Sequence, residues 1–169
     1  MVAIRPEAPA DHDAIREVHR RAFGPASGEA ELVDALRAAG AHEPGLCLVA
    51  VDGDAIVGHV FLSRARLDSG DAVLALAPMA VRPDRQRRGV GTRLVAEALE
   101  RAATTDYPLV VVVGHPEYYP RLGFERADRF GVRAPWEIPP QAWMLHRLPA
   151  YRPAARGLVT YPAPFDAVA

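Results

Sequence analysis

Residues able to hold an anion are concentrated in one stretch, Val81-Arg-Pro-Asp-Arg-Gln-Arg-Arg-Gly-Val-Gly-Thr-Arg-Leu94. Arg82, Arg85, Arg87 and Arg88 precede glycines at 89 and 91; an apolar run from Val73 to Val81 leads in, and a helical pattern leads out. A strand, turn and helix in that order leave backbone N–H groups unpartnered at the helix start. Their partial positive charge adds to the helix dipole and favours a phosphate. Glycine lets such a backbone approach a ligand with no Cβ between them. The run Arg85 to Arg88 adds full charges around the same mouth. The chemistry these residues imply is the binding of a pyrophosphate.

Two common phosphate sites are excluded by named residues. A P-loop needs Gly-x-x-x-x-Gly-Lys-Ser/Thr, and the chain contains no lysine. A dinucleotide fingerprint needs a third glycine where this stretch has Leu94, and no acidic residue closes a following strand. The pattern that fits is Gln/Arg-x-x-Gly-x-Gly/Ala, here Gln86-Arg87-Arg88-Gly89-Val90-Gly91, which resembles the acetyl-CoA signature of the GCN5-related N-acetyltransferases. Further along, Tyr119-Pro-Arg-Leu-Gly-Phe124 resembles the Tyr-x-x-x-Gly-Phe piece of the same family. The resemblance runs in element order from Ile4 to Phe130. The wording "GHPEYYPRLGF" and a Pro-rich tail ending "YPAPFD" are similar to a bacterial subgroup of acetyltransferases.

The resemblance implies a fold and a set of roles. The fold is an α/β domain whose mixed, mostly antiparallel twisted sheet has splayed central strands and flanking helices. Met79 and Val81, with Ala80 between them, would offer backbone groups to the pantetheine arm of acetyl-CoA. Gln86, Arg87, Arg88, Gly89, Val90, Gly91 and Thr92 would surround the pyrophosphate, and Tyr118 would line the cofactor mouth. Acetyl would pass from the thioester to a primary amine of a small molecule or peptide. Tyr119 aligns with the family's acid tyrosine, which protonates the leaving thiolate; Tyr118 is its rival, because neighbours on a helical turn point about 100° apart.

A typical amine of pKa ~10 is roughly one part in a thousand neutral at pH 7, so a base or proton path is needed. Many relatives carry a glutamate on the splayed strand, whereas "VLALAPMAV" has no acid. Glu29, between the first two helices, is the tentative base. His59 lies in a strand and reads as structural, His115 and Glu117 flank the tyrosines, and a water chain is a further route. A non-catalytic acyl-CoA-binding or sensing module is the alternative function, and Glu29, Glu31 and Asp34 also allow a site for basic peptides.

The elements that must position these groups follow from pattern. Pro9 to Phe23 reads as a helix capped by Asp11 or Asp13 and stopped at Gly24-Pro25, and Gly28 to Gly40 as a second helix. Leu46 to Asp52 and Ala55 to Leu67 flank Asp52-Gly53-Asp54 and predict a hairpin. Val73 to Val81 is a strand that Pro78 should bulge or splay, and Gly89 to Ala103 is the clearest amphipathic helix. Pro108 to Gly114 reads as a buried strand, His115 onward as a helical turn, and Ala142 to Leu148 as a last strand.

Composition sets the outer limits. The 169 residues are half hydrophobic, with a formal net charge of −1, so they fit one domain (1–169, with 131–169 a Pro-rich extension packed on it) and no global basic field for nucleic acid. All twenty basic side chains are Arg, and Asn is absent too, which reads as a GC-rich genome, so only an arginine's placement counts. Cys47, the lone cysteine, sits in an apolar run and should be inert. No metal-ligand spacing and no membrane-length apolar segment is present, so a cytoplasmic protein without a metal is expected. Trp136 and Trp143 are placed either on the acceptor wall or against the sheet edge, and the tail can cover a sheet edge within the chain or across a homodimer.

Overall fold

The computed structural model describes residues 1–167. Strand β1 (Val2–Pro6) precedes helices α1 (His12–Phe23) and α2 (Glu29–Ala38). Strands β2 (Leu48–Asp52), β3 (Ala55–Leu67) and β4 (Ala72–Val81) follow, then helix α3 (Val90–Ala102) and strand β5 (Leu109–Val113). Four shorter strands complete the chain: β6 (Glu125–Arg126), β7 (Val132–Arg133), β8 (Trp143–Arg147) and β9 (Gly157–Thr160). The sheet runs β1-β2-β3-β4-β5-β8-β6, and only β4–β5 within that path is parallel. This is the mixed, mostly antiparallel sheet with flanking helices that the resemblance implied.

Alternation along the strands sorts side chains to two faces. On β3, Val60 and Leu62 join Leu94, Val95 and Ala98 of α3, whereas Phe61 joins Ile15, Val33 and Leu36 beneath α1 and α2. A third apolar cluster, with Val73, Val111, Trp143, Leu145 and Val159, lies under the C-terminal segment. That segment does more than pack on the domain. It inserts β8 beside β5, and β9 pairs with β3 of the same chain at Arg66↔Thr160.

One irregularity positions the site. Strand β4 stays paired with β3 as far as Gly58↔Val81, but a register shift sets Ala77 and Pro78 opposite Phe61 alone. A proline cannot donate to a ladder, so a bulge here is the expected response. On its other edge β4 pairs with β5 only at Leu74↔Val110 and Ala75↔Val111, while β5 continues with β8 to Val113↔Trp143. Beyond Ala75 the two central strands part, leaving one edge of Leu76 to Val81 without a strand partner.

One reading of the helical layer changes and another is given its partners. Asp11 does not cap α1; its carboxylate turns back to accept the Ala8 N–H and the Arg5 guanidinium. His59 is fully buried in a polar chain: its Nε2 lies 2.7 Å from Glu7 Oε1, and its Nδ1 lies 2.8 Å from His19 Nε2. Arg37 Nε donates to the other Glu7 oxygen at 2.7 Å. A carboxylate only accepts, so His59 donates from Nε2 and accepts at Nδ1, and His19 donates. His59 is therefore a structural residue.

Burial pushes the His19 pKa down to about 3 and lowers that of His59, while hydrogen bonds from His59 and Arg37 overcome burial and bring Glu7 down to about 2. Below the ordinary imidazole value the unfolded chain takes up protons that the folded chain refuses. Stability should therefore fall as pH drops from about 6.5 toward 3, by roughly 1–2 kcal/mol per pH unit at first, with Glu7 adding to the loss below about 4.5. Urea unfolding at pH 7.5, 6.5 and 5.5 checks this, and His19→Gln should flatten the slope.

Candidate active site

The start of α3 is open. Its N-cap, Gly89, is left-handed (φ 80°) and has no side chain with which to cap. The Arg93 amide is the first with a helical partner, donating to Gly89 O at 3.0 Å, so the amides ahead of it point out unpaired by the helix. Arg87 is the one non-glycine residue with positive φ (63°) among the described residues. Alternating hands along Arg87 to Gly89 turn successive N–H groups toward one concavity, the geometry of an anion nest.

The four arginines divide into two pairs. Arg82 is held by Asp84 at 2.7 Å, and Arg85 by Asp52 of β2. Arg87 and Arg88 are exposed, with no acidic partner among the described residues, so these two carry the available charge. Gln86 donates from its side chain to Val81 O at 3.0 Å and ties the loop back to β4.

Met79, Gly91, Thr92 and Tyr118 converge at this mouth. A Cβ on Gly91 would stand 3.3 Å from Met79 Cε and 3.4 Å from Tyr118 Oη. The Tyr118 hydroxyl lies 3.1 Å from Thr92 Oγ1. Ala80 and Val81 continue the unpaired strand edge, and the Val90 side chain is buried beneath α3.

The adjacent tyrosines face different places. Their rings meet edge to face at 5.0 Å; Tyr118 turns to Thr92, and Tyr119, only 7% exposed, lines a cavity at the splay. Phe124 packs against Tyr119 at 5.3 Å. Burial, with a smaller contribution from Tyr118, pushes the Tyr119 phenol up to about 12. The group stays protonated through neutral pH and beyond, as a proton donor must.

The cavity encloses about 650 Å³ between the parted ends of β4 and β5, the α1–α2 junction and the C-terminal segment. Glu29 lines it, and Glu29 Oε2 is buried without a hydrogen-bond partner. His115 also lines it, from an exposed position, whereas Glu117 is exposed and outside. Glu31 and Asp34 point to Arg20 and Arg16, so the three acids do not form one patch. The tryptophans separate: Trp136 is on the cavity wall, and Trp143 is buried elsewhere, donating to Val132 O at 2.9 Å. Cys47 is buried and does not line the cavity, its thiol pushed up to about 12 mainly by burial.

Several site residues escaped the sequence reading. Ile138, Tyr161 and Phe165 line the cavity from segments that read as an irregular tail, whereas Phe23 lies where the sequence places acceptor choice, in the loop from Phe23 to Glu29. Gly114 reads as a strand end and as the first residue of "GHPEYYPRLGF", with no role of its own. A Cβ there would lie 2.6 Å from Tyr119 Cδ2 and closer still to Cε2, so the ring rests on the glycine backbone. No local pattern marks that contact.

Comparison with known proteins agrees with this geometry. Residues 3–127 match the acetyltransferase (GNAT) domain model. The chain is 40% identical over 148 residues to the uncharacterized N-acetyltransferase YjhQ of Escherichia coli (strain K12), covering 83% of this chain and 81% of YjhQ. Among solved structures, Escherichia coli YhbS in complex with CoA superposes with a TM-score of 0.89 at 32% identity, over 98% of this chain and 92% of that one. A GNAT family acetyltransferase from Brucella melitensis in complex with acetyl-CoA gives 0.81 at 30% identity, over 98% and 99% of the two chains. The open α3 mouth, the parted strands and these matches together make the chain a member of the GNAT family of N-acetyltransferases.

Proposed function

We propose that this protein transfers acetyl from acetyl-CoA to a primary amine, using the groups gathered around the splay. One observation carries the reading: the open amides of α3 and the unpaired edge of β4 meet at a single mouth. The amides from Gly89 to Thr92, with Arg87 and Arg88, hold the diphosphate. Met79, Ala80 and Val81 bond the pantetheine arm as a strand would, and Gln86 keeps the loop in place. Tyr118 and Thr92 flank the arm where it enters.

The thioester supplies the activated acyl group. Glu29 holds the acceptor's ammonium and takes its proton, so that the nitrogen attacks the carbonyl carbon, forming C–N as C–S breaks. An N–H on the unpaired β4 edge stabilises the carbonyl oxygen as it gains charge. Tyr119 gives its proton to the departing sulfur, and the second proton that the nitrogen sheds as the amide forms restores the phenol. The relatives that support this reading are bacterial, and we place the reaction in the bacterial cytoplasm.

Calorimetric titration with acetyl-CoA tests the donor half. Binding is expected, and Gly91→Val, whose side chain would meet Met79 and Tyr118, should weaken it at least about tenfold (about 1.4 kcal/mol) with the fold retained by circular dichroism. A well-folded wild-type protein that binds no acetyl-CoA at millimolar concentration would refute the reading.

A further inference from the structure

We propose that the acceptor is a primary arylalkylamine, an inference that rests on the acetyltransferase reading and names its second substrate. Part of the cavity wall is an aromatic box. Trp136 and Tyr161 lie 4.6 Å apart between centroids, Tyr161 and Phe165 lie 4.9 Å apart, and Phe23 adds a ring from the end of α1. These rings come from three separate segments, so no one element explains their convergence. Ring faces and edges of this kind favour a flat apolar body stacked among them.

The charge pattern decides which aromatic compound fits. Among the described residues Glu29 is the only carboxylate on the cavity wall, and Glu29 Oε2 is buried without a partner. An ammonium group with its three donors would satisfy it. No arginine lines the cavity among the described residues. An acceptor bearing its own carboxylate would therefore bring a second anion beside Glu29 with only His115, at an exposed position, to meet it, which favours the amine over the corresponding amino acid. A polyamine would bury a second cation with no second anion to meet it. The box, the lone acid and the missing arginine thus converge on a ring, a short alkyl arm and one ammonium.

The test measures CoA thiol release from acetyl-CoA with 2-phenylethylamine, phenylalanine, spermidine and a lysine-containing peptide, after calorimetry has established acetyl-CoA binding. Phenylethylamine is expected to exceed each of the others in kcat/KM by about 100-fold or more. Glu29→Gln and Trp136→Leu should each raise its KM about tenfold or more with acetyl-CoA binding unchanged, and Glu29→Gln should lower kcat as well because it removes the base. Should Trp136→Leu fail to fold, Phe23→Ala at the exposed rim provides the same readout. Equal or better turnover of phenylalanine, spermidine or peptide would overturn the inference, and so would turnover of none of them by a protein that binds acetyl-CoA. Failure to bind acetyl-CoA is a separate result, which removes the acetyltransferase reading itself.

Discussion

Replacing Tyr119 with phenylalanine should lower kcat about 100-fold and move the KM for acetyl-CoA by less than about threefold. The expectation follows from where the ring is held and what its hydroxyl can do. Phe124, Tyr118 and the Gly114 backbone pack the ring, and phenylalanine keeps all of those contacts. Only the proton is removed. A general acid contributes roughly 10²–10⁴ in rate, most when its pKa lies near the working pH. The Tyr119 phenol, pushed up to about 12, is a reluctant donor, so the lower end of that range applies. The same shift makes a second statement. Its neutral form persists across the accessible alkaline range, so kcat should show no loss from tyrosine ionisation below about pH 11. Tyr118→Phe is the control: it removes the bond to Thr92 at the cofactor mouth and should act on KM for acetyl-CoA more than on kcat. An unchanged kcat in Tyr119→Phe would take the acid role away from this residue.

Much of this site was legible because its signals are local. The α3 mouth was readable from glycines at a strand-to-helix junction, and the β2–β3 hairpin from Asp-Gly-Asp. The bulge in β4 followed from one proline in an apolar run. What could not be read depends on partners distant in the chain. Arg82 is neutralised by Asp84, two residues away, but that Arg85 is neutralised while Arg87 and Arg88 are free requires Asp52, on β2, to stand beside the loop. Strand β1 ends on a proline and alternates only weakly, so its pairing with β2 gives it an identity that five residues alone do not. Strands β7 and β9 are two and four residues long and exist by pairing with each other and with β3. The aromatic box is the extreme case, since Phe23 is more than a hundred positions from its other rings and all of them meet only in the fold.

Gly114→Ala should reduce kcat at least as much as removing the Tyr119 hydroxyl does, about 100-fold, although the substitution adds a single methyl group. Backbone geometry is not the reason, because Gly114 does not adopt a left-handed conformation that alanine would resist. Its N–H donates to Ala142 O at 3.0 Å, and alanine retains that bond. The whole effect comes from contact: the new Cβ would occupy the space of the Tyr119 ring edge, 2.6 Å from Cδ2. A ring wedged between Tyr118 and Phe124 cannot yield without swinging its hydroxyl away from the splay. Overpacking of this kind costs about 1–3 kcal/mol in stability, which urea unfolding would report separately from the kinetics. A double-mutant cycle distinguishes a positioning role from general damage. In a Tyr119→Phe background no catalytic proton is left to misplace, so adding Gly114→Ala should change kcat by less than about threefold. If the two losses multiply instead, Gly114 acts on the rate by some route other than the tyrosine, and the strand end does not aim the acid.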